Sequence, residues 1–261
     1  VRAGKLLGID YVLEYNIFNS GAHACVVCFH GFGQTAEMFN QLAKAHPNYK
    51  FLAINLFFHG ESTMKASLLT PERWEQIFKQ LIQNESIDTF DVAGYSLGGR
   101  FALVTYQLFH KRIRKLTLVA PDGLVPNRWF RLATATQFGR FIFYIMMHSG
   151  VFTTILIRSA ASAGLISHRL MDFSLTQIKN GKARKLLYQC WTVFRLMVLL
   201  PHDLSNLCKE PGRVLVVLGK MDPMIKASRI TDGLKSNKNI KILVLRSSHV
   251  QLGSADFLSL S

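Results

Sequence analysis

Three residues have the types and positions for nucleophilic chemistry, each just past an apolar run. Ser96 lies in DVAGYSLGGRFA (91–102), among Gly94, Gly98 and Gly99. Asp222 falls in LVVLGKMDPM and His249 in ILVLRSSHVQ. A serine hydroxyl attacks poorly until a base takes its proton and an acid orients that base. If the three apolar runs are parallel strands, all three residues reach one edge of a sheet. The expected roles are Ser96 as nucleophile, His249 as general base and Asp222 as the orienting acid. Asp122, in LTLVAPDG, also follows an apolar run and is a rival acid. Asp222 is preferred for its strand-G-x-x-D spacing, and Asp122 is read as a turn residue.

The surroundings of Ser96 fit the same chemistry. FDVAG reads as a strand, Gly94-Tyr95-Ser96-Leu97-Gly98 as a sharp turn, and LGGRFALVTYQ as a helix. In a G-x-S-x-G turn the serine is strained, and side chains two residues to either side would collide with the strand or helix. The helix N-terminus then offers backbone N–H groups to developing negative charge. His30-Gly31-Phe32-Gly33 follows ACVVCF, so the expected oxyanion hole is the N–H of Phe32 and the N–H of Leu97. His30 is read as ordering that loop. Phe58-His59-Gly60-Glu61-Ser62, after KFLAINL, is read as shaping its own.

The elements that must position these residues alternate. Strand-like runs occupy 11–18, 24–29, 50–56, 90–94, 115–120, 213–219 and 240–246. Several are continuously apolar, as when helices cover both faces of a parallel sheet. Helical stretches follow the second run, precede the fourth (PERWEQIFKQLIQN, with Pro71 suited to a first turn) and follow the fourth. This predicts an α/β fold with a mostly parallel central sheet. Residues 124–210 hold no convincing strand, only aromatic and basic helix-like segments. The expected organisation is therefore a core of 1–123 with 211–261, and a helical cap insertion at 124–210. Within it, FIFYIMMHSGVFTTILI (141–157) is apolar but interrupted by His148, Ser149 and Gly150, which favours two cap helices meeting at a turn over a membrane span. Its mixture with basic residues leaves peripheral membrane contact open.

Composition bounds the partners. The chain has 261 residues, 49% of them hydrophobic, enough for a large core. Its 31 Lys and Arg against 16 Asp and Glu favour anionic partners. No basic run reaches five residues and no nucleic-acid-binding motif appears, so nucleic acid is not expected. Cys25 and Cys28 sit in an apolar strand and read as core thiols, which with two further cysteines points to a reducing, cytoplasmic setting. The sequence opens at Val1, leaving room for an upstream leader; its visible start is not a signal peptide. No metal or organic cofactor is expected.

HGFG, FHGES, GYSLGG, the aspartate after a strand and the late histidine occur in that order across residues 24–255. On these motifs the chain resembles the cap-bearing α/β-hydrolases. The resemblance implies ester or related carbonyl hydrolysis through an acyl-enzyme. Many relatives carry D-x-P-G before HG-x-S, where this chain has NLFFHGES; Phe57 and Phe58 are therefore expected to wall an apolar acyl or aromatic pocket, with Tyr95 beside the nucleophile. A serine at the nucleophile position argues against the haloalkane dehalogenase and epoxide hydrolase branches. Arg100, four residues after Ser96, is similar to an arginine of the menaquinone-pathway SHCHC synthases, lyases that bind an acidic substrate on this fold. That weaker resemblance implies Arg100 as an anion contact.

Overall fold

The continuously apolar runs form the interior strands of one sheet. In chain order its strands are β1 (Arg2–Leu7), β2 (Tyr11–Phe18), β3 (Ala24–Phe29), β4 (Tyr49–Ile54), β5 (Thr63–Met64), β6 (Phe90–Tyr95), β7 (Ile113–Val119), β8 (Val214–Gly219) and β9 (Ile240–Leu245). The computed structural model describes residues 1–125, 128–177 and 180–259. In space the order is β1-β2-β4-β3-β6-β7-β8-β9, with the short β5 on β2. β2 is antiparallel to β1 and β4, and every neighbouring pair from β4 to β9 is parallel. β8 is buried throughout, as a strand covered on both faces must be. All seven expected strands are present. β1 and β5 lie outside the expected set: β1 is an edge strand with only Leu6 buried, and β5 has two residues, so neither carries a strong apolar signal.

The chain divides into two compact units, Val1–Val125 with Leu196–Ser261, and Pro126–Arg195. The sheet belongs to the first. Its helices are α1 (Asn40–Ala45), α2 (Pro71–Asn84) and α3 (Gly98–Phe109), with further helices after residue 196. Thr70 caps α2 by accepting the Arg73 N–H, and Pro71 opens its first turn. Trp74 on α2 packs edge-on against Phe101 of α3 at 5.0 Å and donates its indole N–H to Thr105 at 2.9 Å. That pair, with Phe29 and Phe78, holds α2 and α3 against one sheet face. The four cysteines are buried and in no disulfide among the described residues; burial pushes the Cys25 thiol up to about 11.

The second unit is helical: α4 (Arg128–Thr134), α5 (Gln137–His148), α6 (Gly150–Ser162), α7 (His168–Gln177) and α8 (Gly181–Val193). Phe143 of α5 stacks near Trp191 (5.3 Å) and Tyr188 (5.5 Å) of α8, and Phe130 of α4 meets the same Trp191 at 5.4 Å. Side-chain caps at Thr136, Ser149 and Asn180 satisfy first-turn N–H groups of α5, α6 and α8. The apolar 141–157 stretch is two helices meeting at Ser149 with their axes bent by 111°. No single helix among the described residues is long and apolar enough to cross a membrane. The sheet unit resumes at Leu196, ahead of the expected residue 211, because α9 (Pro201–Leu207) packs on α3 and on α10 (Ala227–Leu234). The chain's last helix, α11 (His249–Gly253), follows β9.

Candidate active site

Parallel register brings five loops to one edge. β3 ends at Phe29, β6 at Tyr95, β7 at Val119, β8 at Gly219 and β9 at Leu245, and the loops that follow carry His30 to Gly33, Ser96, Asp122, Asp222 and His249. Ser96 sits at φ 50, the left-handed region that a side chain disfavours. The strain is held from three sides. The Ser96 N–H donates to the Val119 carbonyl (3.0 Å), and the Ser96 carbonyl accepts the N–H groups of Gly99 and Asp122 (both 2.9 Å). A Cβ on Gly98 would lie 2.1 Å from the Phe29 carbonyl oxygen, and one on Gly94 would lie 2.6 Å from that of Gly98. The glycines therefore let α3 rise from the strand end at a distance no other residue permits.

The serine, histidine and Asp222 meet. His249 Nε2 lies 2.9 Å from Ser96 Oγ, and His249 Nδ1 lies 2.6 Å from Asp222 Oδ2. With Nδ1–H donating to the carboxylate, Nε2 is left to accept the serine hydroxyl proton. The other Asp222 oxygen accepts the N–H groups of Met224 (2.8 Å) and Ile225 (2.9 Å), so the carboxylate cannot rotate away. His249 opens α11, where Ser248 and Gln251 form a reciprocal capping box. The rival Asp122 points elsewhere: its Oδ2 accepts Arg100 Nε–H at 2.7 Å.

Two histidines build the loop opposite. His30 is fully buried; its Nδ1–H donates to the Gly31 carbonyl (2.7 Å) and its Nε2 accepts the Leu56 N–H (3.0 Å). Burial, reinforced by neighbouring His59, lowers its pKa to about 3. His59 has the same pattern, donating to the Phe57 carbonyl (3.1 Å) and accepting the Gly33 N–H (3.0 Å), and burial lowers its pKa too. Two neutral rings, 4.9 Å apart, thus tie the loop after β3 to the loop after β4. Gln34 Oε1 accepts the Gly31 N–H at 3.0 Å, and Asn55 Oδ1 accepts the Ala36 N–H at 2.6 Å. Among the described residues the Phe32 and Leu97 N–H groups donate to no hydrogen bond.

The expected substrate contacts divide. Phe57 is fully buried, its ring 6.1 Å from Tyr11, so it belongs to the core rather than to a pocket wall. Phe58 is half-buried at φ 71, at a turn the sequence did not announce. Tyr95 is turned to the histidine rather than outward: its hydroxyl donates to the His249 carbonyl at 2.9 Å, and its ring lies 5.3 Å from the imidazole. Burial, with the Asp222 charge adding to it, pushes the Tyr95 hydroxyl up to about 12. Arg100 is 3% exposed and paired with Asp122, so it braces the turn after β7 instead of facing a substrate. Sequence reasoning missed Tyr95's link to His249 and the roles of Gln34 and Asn55; Gln34, three residues after Gly31, was the one local signal.

Comparison with known proteins bears on the family and the fold. The family model described as the alpha/beta hydrolase fold matches residues 25–170. A curated relative from Arabidopsis thaliana, "Probable lysophospholipase BODYGUARD 2", is 32% identical over 192 residues, 66% of this chain and 39% of that protein. The chain thus spans about two fifths of the length of that relative. A hydrolase structure from Pseudomonas aeruginosa PA01 superposes with a TM-score of 0.69 at 17% identity, covering 99% of this chain and 97% of its own. The serine hydrolase CCSP0084 from Cycloclasticus zankles does so at 0.66 and 18%, covering 99% and 96%. At such identities the structural likeness is one of fold. With more than half of its length matched by the family model, the chain belongs to the α/β-hydrolase family.

Proposed function

We propose that the protein is a serine hydrolase that cleaves a carboxylic ester through an acyl-enzyme. The observation that supports this most directly is the unbroken hydrogen-bond chain from Ser96 Oγ through His249 to Asp222, 2.9 and 2.6 Å. Ser96 Oγ attacks the carbonyl carbon as its proton passes to His249 Nε2. The carbonyl oxygen takes up negative charge facing the N–H groups of Phe32 and Leu97. His249 returns the proton to the leaving alcohol as the ester C–O bond breaks, and water then repeats the sequence on the acyl-enzyme. Asp222 holds the imidazole in the tautomer that the first step requires.

For the substrate, the Arabidopsis relative's name points to an ester with one long acyl chain, consistent with the apolar acyl group expected from the sequence. We take lysophospholipid as the class to try first. The lyase reading rests on Arg100 meeting an acidic substrate, and its pairing with Asp122 removes that support. The deciding experiment is labelling with a fluorophosphonate probe, wild type beside Ser96→Ala, followed by hydrolysis of p-nitrophenyl esters of rising chain length and of lysophosphatidylcholine. Labelling that vanishes in Ser96→Ala, with turnover rising with chain length, is the expected result. Folded wild-type protein that takes no label would sink the proposal.

A further inference from the structure

The helical unit presents an apolar face that its own packing leaves uncovered. On α5, Phe138, Phe141, Ile142 and Ile145 recur at i, i+3, i+4 and i+7 and are all exposed, while Phe143 and Met147 on the other side are buried. On α6, Val151, Phe152, Ile155 and Leu156 are exposed. Phe138 and Val151 are each 73% exposed. A single apolar side chain at a surface needs no explanation, but eight exposed on two successive helices are more than scattered exposure accounts for, and apolar surface on that scale marks an interaction site.

The charge around this face selects the partner. Between Asp122 and Asp172 there is no carboxylate, yet there are five arginines. Across the whole of Pro126–Arg195, ten Lys and Arg stand against the single carboxylate of Asp172. Arg158 is exposed one turn beyond Ile155, at the edge of the stripe on α6. An apolar stripe edged by Arg158 in a unit with a large basic excess suits the boundary of an anionic bilayer: rings and branched side chains enter the acyl region while basic side chains meet phosphates. A second copy of the same unit would set positive charge against positive charge.

Length and angle set how the face can sit. α5 has 12 residues and α6 has 13. Helices of that size reach about 18 and 20 Å, short of the roughly 30 Å hydrocarbon core. Bent by 111°, they do not continue one another into a span. The corner is hydrogen-bonded: Ser149 Oγ accepts the Phe152 N–H (3.3 Å) and Thr153 Oγ1 donates to the Ser149 carbonyl (2.9 Å). We propose that α5 and α6 dock the protein on the surface of an anionic phospholipid bilayer, lying in the interface without crossing it. This inference is independent of the Ser96 chemistry.

The test uses the Ser96→Ala protein, so that no lipid is consumed, and vesicles of phosphatidylcholine alone or with about a third phosphatidylserine. The protein should sediment with the anionic vesicles and much less with the neutral ones, and binding should weaken as salt rises. Adding Phe138→Ser with Phe141→Ser should lower partitioning by about tenfold or more. A Phe141→Trp variant gives a second readout that does not depend on those serines being tolerated: the fluorescence of the introduced indole should shift to the blue on anionic vesicles and be quenched by brominated lipid. Folded protein that stays in solution, or an introduced indole blind to lipid, overturns the proposal. So does partitioning that ignores the serine substitutions. Self-association without lipid that the same substitutions abolish would give the face to a second copy, and would equally overturn it.

Discussion

At the scale of single residues, two aspartates separate by what they touch. Asp222 holds the Nδ1 side of His249, so Asp222→Asn presents the ring with the wrong partner and should lower kcat about ten-thousandfold. Asp122→Asn should leave turnover within a few-fold, because its carboxylate serves Arg100; it should lower thermal stability by leaving that buried guanidinium with a weaker acceptor. Steady-state kinetics beside thermal melts of both variants check this, and the reverse pattern would move the acid to Asp122. Tyr95 acts through another residue. Its hydroxyl donates to the His249 carbonyl and fixes it. Tyr95→Phe removes one hydrogen bond worth about 1 kcal/mol, so kcat should fall several-fold with KM unchanged. A rise in KM instead would make Tyr95 a substrate contact.

At the scale of elements, the close approach of α3 to β3 is the demanding feature. A Cβ on Gly98 meets backbone, the Phe29 carbonyl, at 2.1 Å and cannot be relieved by turning a side chain. Gly98→Ala should therefore cost more than about 3 kcal/mol. Gly33, at φ 72 with open space around it, should cost only about 1 kcal/mol on change to Ala. Urea unfolding of the two variants separates them, and equal costs would mean that α3 can shift. This close packing was legible in the sequence: a serine among glycines between a strand and a helix has few other uses, and the order Ser, Asp, His past the ends of three apolar runs predicted which side chains would meet. Other contacts were not legible because sequence gives no depth. Phe57 follows a strand beside the site loops, as a pocket residue would, yet faces the core; Arg100 sits one helical turn from Ser96, yet turns to Asp122. Tyr95 and His249 are 154 residues apart, and only the meeting of β6 with α11 joins them. β1 was hidden because an exposed edge strand needs no apolar alternation.

The loop pair set by His30 and His59 adds a pH dependence at the same scale. Unfolded, each imidazole takes up a proton near pH 6.5; folded, His30 does so only near 3, and His59 is shifted the same way. Between those values the unfolded chain binds more protons, so stability is full above about 6.5 and declines as pH falls toward the folded pKa, by up to about 1.4 kcal/mol per pH unit for each ring. Long-range proton–nitrogen spectra at about pH 5 should still show the His30 ring neutral with the proton on Nδ1. A charged His30 imidazole in the folded protein at that pH would contradict the loop geometry.

At the scale of the whole molecule, the proposed catalytic residues and most of the net positive charge lie in different units. Ser96, Asp222 and His249 all lie in Val1–Val125 with Leu196–Ser261, while ten of the 31 Lys and Arg and only one of the 16 carboxylates lie in Pro126–Arg195. Two substrates should therefore report separately. A short soluble ester reads the proposed triad alone, and its hydrolysis should be little changed by salt or by Phe138→Ser with Phe141→Ser. A lysophospholipid presented in anionic vesicles reads the triad and the surface charge together, and its hydrolysis should fall with salt and by about tenfold in the same double variant. Loss of both activities in equal measure would show that α5 acts on the catalytic unit itself, and would withdraw the membrane role; loss of neither would show that the substrate reaches Ser96 from solution.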